Sequence, residues 1–457
     1  MVDRWVQAAV SPALLLLLVL GGLSLVQTLG PPRDPGSAAA AAGTSLHSLP
    51  AAAPAGRSAT FAGSSASVSP VSTIEVGGRP YITALDLANG YLYVSTVLGT
   101  NVTVINGTSV VGSVTVGPDP WTPVYDSVNG YVYVPDEGGL SVINGTSVLA
   151  NVSIADEEVD DLAVDTSNGF VYAVSEVTES SWEIDVINGT TPVGTISGVG
   201  CPFSLAYDPA DEEVYADSIL CLTNSDRLVV VNGTSVVATL SPGEGSVIGY
   251  SFDSGNGDLY CSTDGWVWVV SGTTALGNLS VGTDVWFGKP YMENFPTYDP
   301  VDGYVYVPNS NSSSVSVIAG TTVVATVNVP AGPNAVVGAG GLVYVADALA
   351  NNVTVLNGTT GVANLPVGST PVYETYDPTN GLLYVSNLRS GNISAIQTSL
   401  VRTTVPGSGG GSSTPSSVRN GGVYVLLGGA ASGAVAALCG TRWGARRRKA
   451  PPRRAPA

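Results

Sequence analysis

A unit of about forty residues recurs eight times between Val71 and Val405, and this period constrains the fold more than any other property of the chain. Each unit opens with an Asp, two variable residues, Asn or Asp, and usually Gly, leading into an alternating Tyr/Val run. The first reads Asp86 to Gly90 before Tyr91-Leu92-Tyr93-Val94, and the pattern returns from Asp126, Asp165, Asp208, Asp253, Asp299 and Asp377. A degenerate copy stands at Ala339-Gly340-Gly341. Asp accepts hydrogen bonds from its own downstream amides, Asn tolerates a left-handed backbone, and Gly takes positive φ without steric cost, so these aspartates read as turn residues and not as catalysts. The second half of the unit carries Asn-Gly between β-branched runs at Asn106-Gly107, Asn144-Gly145, Asn188-Gly189, Asn232-Gly233 and Asn357-Gly358, weakening to Ser271-Gly272 and Ala319-Gly320. Asn-Gly in that setting is a strong hairpin signal.

Each unit is therefore four antiparallel strands. One small sheet cannot bury both faces alone, so such units stack around a ring. The expected fold is all-β, a β-propeller of seven or eight four-stranded blades (eight by repeat count), flanked by N- and C-terminal hydrophobic helices. Ring closure is ambiguous. Ser72 to Gly77 reads as a fourth strand without its own unit, yet Leu400 to Val405 reads as the eighth unit's own fourth strand.

The runs Tyr384-Val385-Ser386-Asn387, Tyr306-Val307-Pro308-Asn309 and Tyr344-Val345-Ala346-Asp347 each precede a Val-Thr-Val-like strand and a Val-Gly-x-x-Pro-like link. In this they resemble the YVTN family of β-propeller repeats, which includes domains of prokaryotic surface-layer proteins. The resemblance implies an extracytoplasmic propeller and no shared catalytic set.

The ends differ in kind from the repeats. Residues 1–29 hold the uncharged run Pro12 to Val26, either a signal-peptide core or an uncleaved membrane anchor. Residues 30–70 form an Ala/Pro/Ser linker expected to be flexible, 71–405 the propeller, and 406–422 a Gly/Ser linker. The uncharged stretch Val423 to Gly440 is about 27 Å long as a helix, enough to cross a bilayer core. The basic tail 441–457 that follows is placed in the cytoplasm by the positive-inside rule, with the propeller outside at the cell membrane.

Within the propeller five basic residues face 33 acidic ones. Such a surface repels nucleic acid and attracts cations. The one histidine, His47, lies in the linker, so the ring offers no imidazole for a general base, a Ser-His-Asp triad or a His-ligated metal. Carboxylate-only chemistry remains open and needs two acids facing across a cleft.

Departures from the repeat collect on the face where the second strand connects to the third and the fourth to the next blade. That face gathers Trp121, Glu176, Glu179 and Trp182, and the insertion Thr283 to Pro296 with Trp286 and Tyr291, as a candidate ligand-binding rim for a glycan or a surface protein. The acidic run Asp156, Glu157, Glu158, Asp160 and Asp161 could hold Ca2+ through oxygen ligands; no other cofactor is indicated. Packed aromatic plugs and solvated loops are the plainer readings of both sets. Cys201 and Cys221 stand equidistant from the turn near Asp211, as disulfide partners across a hairpin would, whereas Cys261 reads as a small core residue. Outside the Asn-Gly-Thr turns, Asn101, Asn151, Asn278, Asn311, Asn352 and Asn392 lie in glycosylation sequons.

These features together predict a membrane-anchored cell-surface propeller acting as a non-catalytic binding, adhesion or envelope-structural module. The alternatives are the sensor or substrate-capturing subunit of a membrane assembly, and a carboxylate-based hydrolase or lyase.

Overall fold

The computed structural model describes residues 58–59, 72–154, 159–178, 181–202, 204–219, 226–241, 243, 245, 247–283 and 295–398. Two compact units divide the chain at residue 53; the propeller belongs to the second, and the first lies outside the described residues. Eight four-stranded sheets follow one another as blades 1 to 8, with strands a to d from the ring centre outward. Their a strands are Arg79–Asp86, Val124–Asp126, Val159–Asp165, Leu205–Asp208, Gly249–Asp253, Thr297–Asp299, Pro333–Ala339 and Pro371–Asp377. In blade 1 the others are Tyr91–Val97, Asn101–Asn106 and Ser109–Thr115.

The expected turn chemistry is present throughout. Asp86, Asp126, Asp165, Asp208, Asp253, Asp299 and Asp377 each accept, through Oδ1, the amide two residues on. Gly90 (φ 74°) and Gly107 (φ 58°) occupy the left-handed backbone that the a–b and c–d turns require.

Packing is organised by seam. Eight apolar clusters of the described residues each span one pair of neighbouring blades, and the last joins Leu382, Tyr384 and Ile393 of blade 8 to Leu85, Leu92 and Ile105 of blade 1. The ring is thereby closed with eight blades. Its closing strand is Ser72–Glu75, which pairs antiparallel with the c strand of blade 8, Asn392–Gln397, setting Ile74 opposite Ile393. The start of the repeat region thus supplies the outer strand of the last blade, and Leu400 to Val405 lie outside the described residues. Two linker residues, Ser58–Ala59, add a short parallel fifth strand to the outer edge of blade 6, against Thr326 and Val327.

Hydroxyl staples join the seams at their lower ends. Tyr93, Tyr133, Tyr215, Tyr260 and Tyr384 each donate to the carbonyl of the c–d turn glycine of the next blade, Gly145, Gly189, Gly272, Gly320 and Gly107, at 2.9–3.0 Å. The b-strand tyrosine of the repeat is therefore a link between blades as well as a core side chain. The glycine of the Val-Gly link has a matching reason. A Cβ on Gly117, Gly282 or Gly368 would collide with Asp136, Asn309 or Asn387, the last residue of the b strand that the link crosses.

The a–b turns alternate around the ring. Tyr125, Tyr207 and Tyr298 of blades 2, 4 and 6 stand beside Asp86, Asp165 and Asp253 of the preceding blades, and burial together with these carboxyls raises their phenols. Asp126, Asp208 and Asp377 of the even blades instead meet a following blade whose residue at that position is Val164, Phe252 or Leu85, and their Oδ2 atoms are buried without a partner. The forty-residue repeat therefore carries a two-blade repeat within it.

The N- and C-terminal hydrophobic segments expected to form flanking helices lie outside the described residues. Among the described residues no helix is long and apolar enough to cross a membrane.

Candidate functional site

The a strands begin at the face carrying the b–c and d–a connections, so their first residues surround the upper end of the axial channel. Aromatic side chains cluster at this face. Tyr81 and Trp121 meet edge-to-face with centroids 5.8 Å apart, and Phe295 and Tyr373 do the same at 5.0 Å. Ile82, Val372 and Leu388 pack with them in a cluster drawn from blades 1, 7 and 8 and the neighbouring links.

Buried polar groups link the neighbouring blades 3 and 4. Asp217 accepts the amide (2.8 Å) and the hydroxyl (3.1 Å) of Ser204, and Asp161 accepts the amide of Leu205 at 2.9 Å, tying blade 3 to blade 4. Burial pushes Tyr250 well above the ordinary phenol range, with the charges of Asp217 and Asp161 adding to it. Tyr373 is pushed up to about 12 by burial and by the charge of Asp161. Asp161, Asp217, Tyr250 and Tyr373, drawn from blades 3, 4, 5 and 8, thus lie close enough to act on one another electrostatically.

The residues expected on the rim separate into three groups. Trp121 is half-buried and packs edge-to-face on Tyr81 in the aromatic cluster. Trp182 is only 5 % exposed and packs with Tyr172, Leu205 and Val229 in the seam between blades 3 and 4, so it serves the core and not the rim. Its strand (Ser181–Asn188) buries Trp182 and Ile184 on either side of half-buried Glu183, which turns the indole ring inward, and the loop-like composition around it concealed this. Glu176 is half-buried at the end of a b strand. Glu179, Trp286 and Tyr291 lie outside the described residues.

Of the acidic run, Asp156, Glu157 and Glu158 lie outside the described residues, Asp160 is half-buried, and Asp161 is buried in the backbone contact to blade 4. Among the described residues no three His, Cys, Asp or Glu side chains are gathered closely enough to hold a metal. Cys201 is buried and disulfide-bonded, while its expected partner Cys221 lies outside the described residues. Cys261 is a buried free thiol, raised far above its usual range by burial and the nearby Asp217, and therefore unreactive.

A groove of about 380 Å³ lies between blades 1 and 2, lined by Thr115, Asp136, Leu140, Ser141 and Asn151 among others. Its acid is already committed. Asp136 accepts the amides of Gly117 and Gly138 and the hydroxyl of Ser141 at 2.7–3.0 Å.

No protein-family model and no curated protein matches the chain in sequence. Solved structures do match in fold. Sqt1 from Saccharomyces cerevisiae superposes with a TM-score of 0.59 at 10 % identity over 72 % of this chain and 99 % of its own. The Dos1 propeller gives 0.59 at 10 % over 72 % and 95 %. The C-terminal WD40 domain of Sif2 gives 0.58 at 11 % over 73 % and 99 %. The chain is an eight-bladed β-propeller with WD40-type structural neighbours. Such rings are typically binding or scaffold modules.

Proposed function

We propose that this is a membrane-anchored cell-surface propeller, of the YVTN type its repeats resemble, acting as a non-catalytic binding, adhesion or envelope-structural module. The observation that supports this reading most directly is a belt of apolar side chains. Val111, Leu149, Val193, Val237, Leu276 and Val324 are 41–50 % exposed. Each is the extra residue of a bulge between strands c and d, at the same position in six consecutive blades. A bulge leaves its extra side chain unpaired. An apolar residue there gives up contact with a partner strand and meets water, a cost that lateral contact with another surface molecule removes.

The hydrophobic segments and basic tail supply the anchoring and topology in this reading, and Ca2+ on the acidic loop, a Cys201–Cys221 bridge and glycans belong to it as well. Asn101, Asn151, Asn278 and Asn311 are exposed and open to modification, whereas Asn352 and Asn392 are half-buried. The grouping of Asp161, Asp217, Tyr250 and Tyr373 from four blades favours a second reading, in which the ring captures a small polar ligand for a membrane assembly.

The test uses the full chain expressed in cells. External protease should cut the propeller and spare the basic tail, and Val111→Asp, Val193→Asp and Val237→Asp together should abolish cell–cell or self-association while leaving the melting temperature unchanged. A propeller shielded from external protease, or association indifferent to the triple substitution, would sink the proposal.

A further inference from the structure

Blades 1 to 7 each join strands c and d by a two-residue turn in the same register, with the flanking residues paired as Asn106 is with Ser109. The central pair is Gly-Thr in every one, and the glycines stand at φ 51–60°. A left-handed glycine followed by a residue of negative φ makes a type II′ turn, so the backbone accounts for the glycine. Packing accounts for the threonine. A Cβ on Gly112 or Gly194 would meet the side chain of Thr146 or Thr234, the turn threonine of the next blade, at 3.0 and 2.8 Å.

The residue before the glycine has no such reason. It is Asn106, Asn144, Asn188, Asn232 and Asn357 in blades 1 to 4 and 7, but Ser271 in blade 5 and Ala319 in blade 6. Those two turns keep their glycines at φ 51° and 53° and pair Ser271 with Thr274 and Ala319 with Thr322, as the others do. The turn therefore forms with serine or alanine at this place, and hairpin geometry leaves the five asparagines unexplained. What they complete is Asn-Gly-Thr, the acceptor sequence for an N-linked glycan.

All five are exposed. Asn232 donates to the carbonyl of Glu212 at 3.3 Å, and the other four side chains make no hydrogen bond among the described residues. Asparagines in the sequons outside these turns are more committed. Asn101 and Asn151 accept the hydroxyls of Thr115 and Ser141, Asn311 donates to Thr283, and Asn392 accepts from Asn387 and Ser390. We propose that Asn106, Asn144, Asn188, Asn232 and Asn357 are the N-glycosylated residues of this propeller, which rests on the reading that the ring lies outside the cytoplasm. The donor is an oligosaccharide linked through phosphate to a lipid carrier. Nδ2 bonds to C1 of the first sugar as the bond from C1 to the phosphate oxygen breaks; the lipid phosphate leaves with that electron pair, and Nδ2 gives up one proton. The glycans cover the face of the a–b and c–d turns over blades 1 to 4 and at blade 7. They leave blade 8 bare, where the chain enters at Ser72 and where Thr398 reaches Gly381.

The full chain, made in cells that carry an N-glycosylation machinery and purified in detergent, tests this by mass-spectrometric mapping of each sequon, alongside external protease on the intact cells. The five turn peptides should carry glycan at higher occupancy than Asn101, Asn151, Asn311 and Asn392. Asn106→Ala, which installs the residue of blade 6, should remove one glycan and leave the melting temperature of the deglycosylated chain unchanged. Ser271→Asn and Ala319→Asn, which complete the acceptor sequence in blades 5 and 6, should each add one, a gain that a purely structural asparagine would not produce. The proposal is overturned, and the location left standing, if external protease reaches the propeller while the five turns are bare or glycan sits only on the other sequons. A propeller that protease cannot reach and that carries no glycan anywhere overturns both.

Discussion

At the residue scale, the repeated tyrosine and aspartate are best understood through their neighbours in the next blade. Tyr133 spends its hydroxyl on the carbonyl of Gly189, 56 positions away. Tyr133→Phe should therefore lower stability by about 1 kcal/mol, the usual net value of one buried hydrogen bond, measured as a shift of the denaturant midpoint with unchanged slope. The even-blade aspartates give a pH signature. Burial, with the charges of Asp211 and Glu213 adding to it, pushes Asp208 up to about 6. Its folded-state value lies above the unfolded one, so the folded chain holds a proton that the unfolded chain releases. Stability from this group is present in acid and falls as pH rises from about 4 through about 6. Asp208→Asn keeps an acceptor for the amide of Ala210 and should flatten that part of the pH–stability curve, read from denaturant midpoints at about pH 5 and pH 7.

At the element scale, what a strand does is set by its place in the blade. The d strand of blade 1 is mostly exposed and buries only Val114, while the b strands are almost wholly buried. Strand Ser72–Glu75 is short, yet it closes the ring. Ile74 is 4 % exposed and packs in the cluster that joins blade 8 to blade 1. Ile74→Ala should cost about 2–4 kcal/mol, as a central core truncation does, although it stands at the edge of the repeat region. An effect below about 0.5 kcal/mol in chemical denaturation would mean that this strand is not what holds the ring shut. Much of this level was legible in the sequence, because Asp–x–x–Asn–Gly and Asn-Gly turns act within five residues and need no tertiary context. The d strand of blade 8 was legible only as a choice between two segments. Strand pairing across more than 300 positions has no local signal, and Ile74 meeting Ile393 decided it.

At the scale of the whole molecule, charge dominates. Five basic residues against 33 acidic ones leave the ring strongly anionic. Self-repulsion should make it more stable as monovalent salt is raised, with a melting temperature that increases from low to high NaCl and levels off once the Debye length falls below about 10 Å. A melting temperature independent of salt would show that the negative charges are already paired off locally.

The sequence alone determined the repeat, its turns and the four-strand unit, because these arise from backbone preferences and the alternation of side chains over a few residues. It also fixed the anionic character, which is a sum. Only the tertiary structure decided the blade number and the strand that completes blade 8. It likewise turned Trp182 into a core residue and packed Trp121 on Tyr81 in an aromatic cluster. It also set Glu374 of blade 8 against Ala346 of blade 7, burying a carboxyl whose oxygens accept no hydrogen bond. Aligning the repeats shows Glu374 as the acid in a register of Thr, Leu, Tyr and Val, but a register cannot say which oxygens lack a partner. Hydrogen-bond satisfaction is a property of surroundings drawn from distant parts of the chain, and these come together only when the ring is closed.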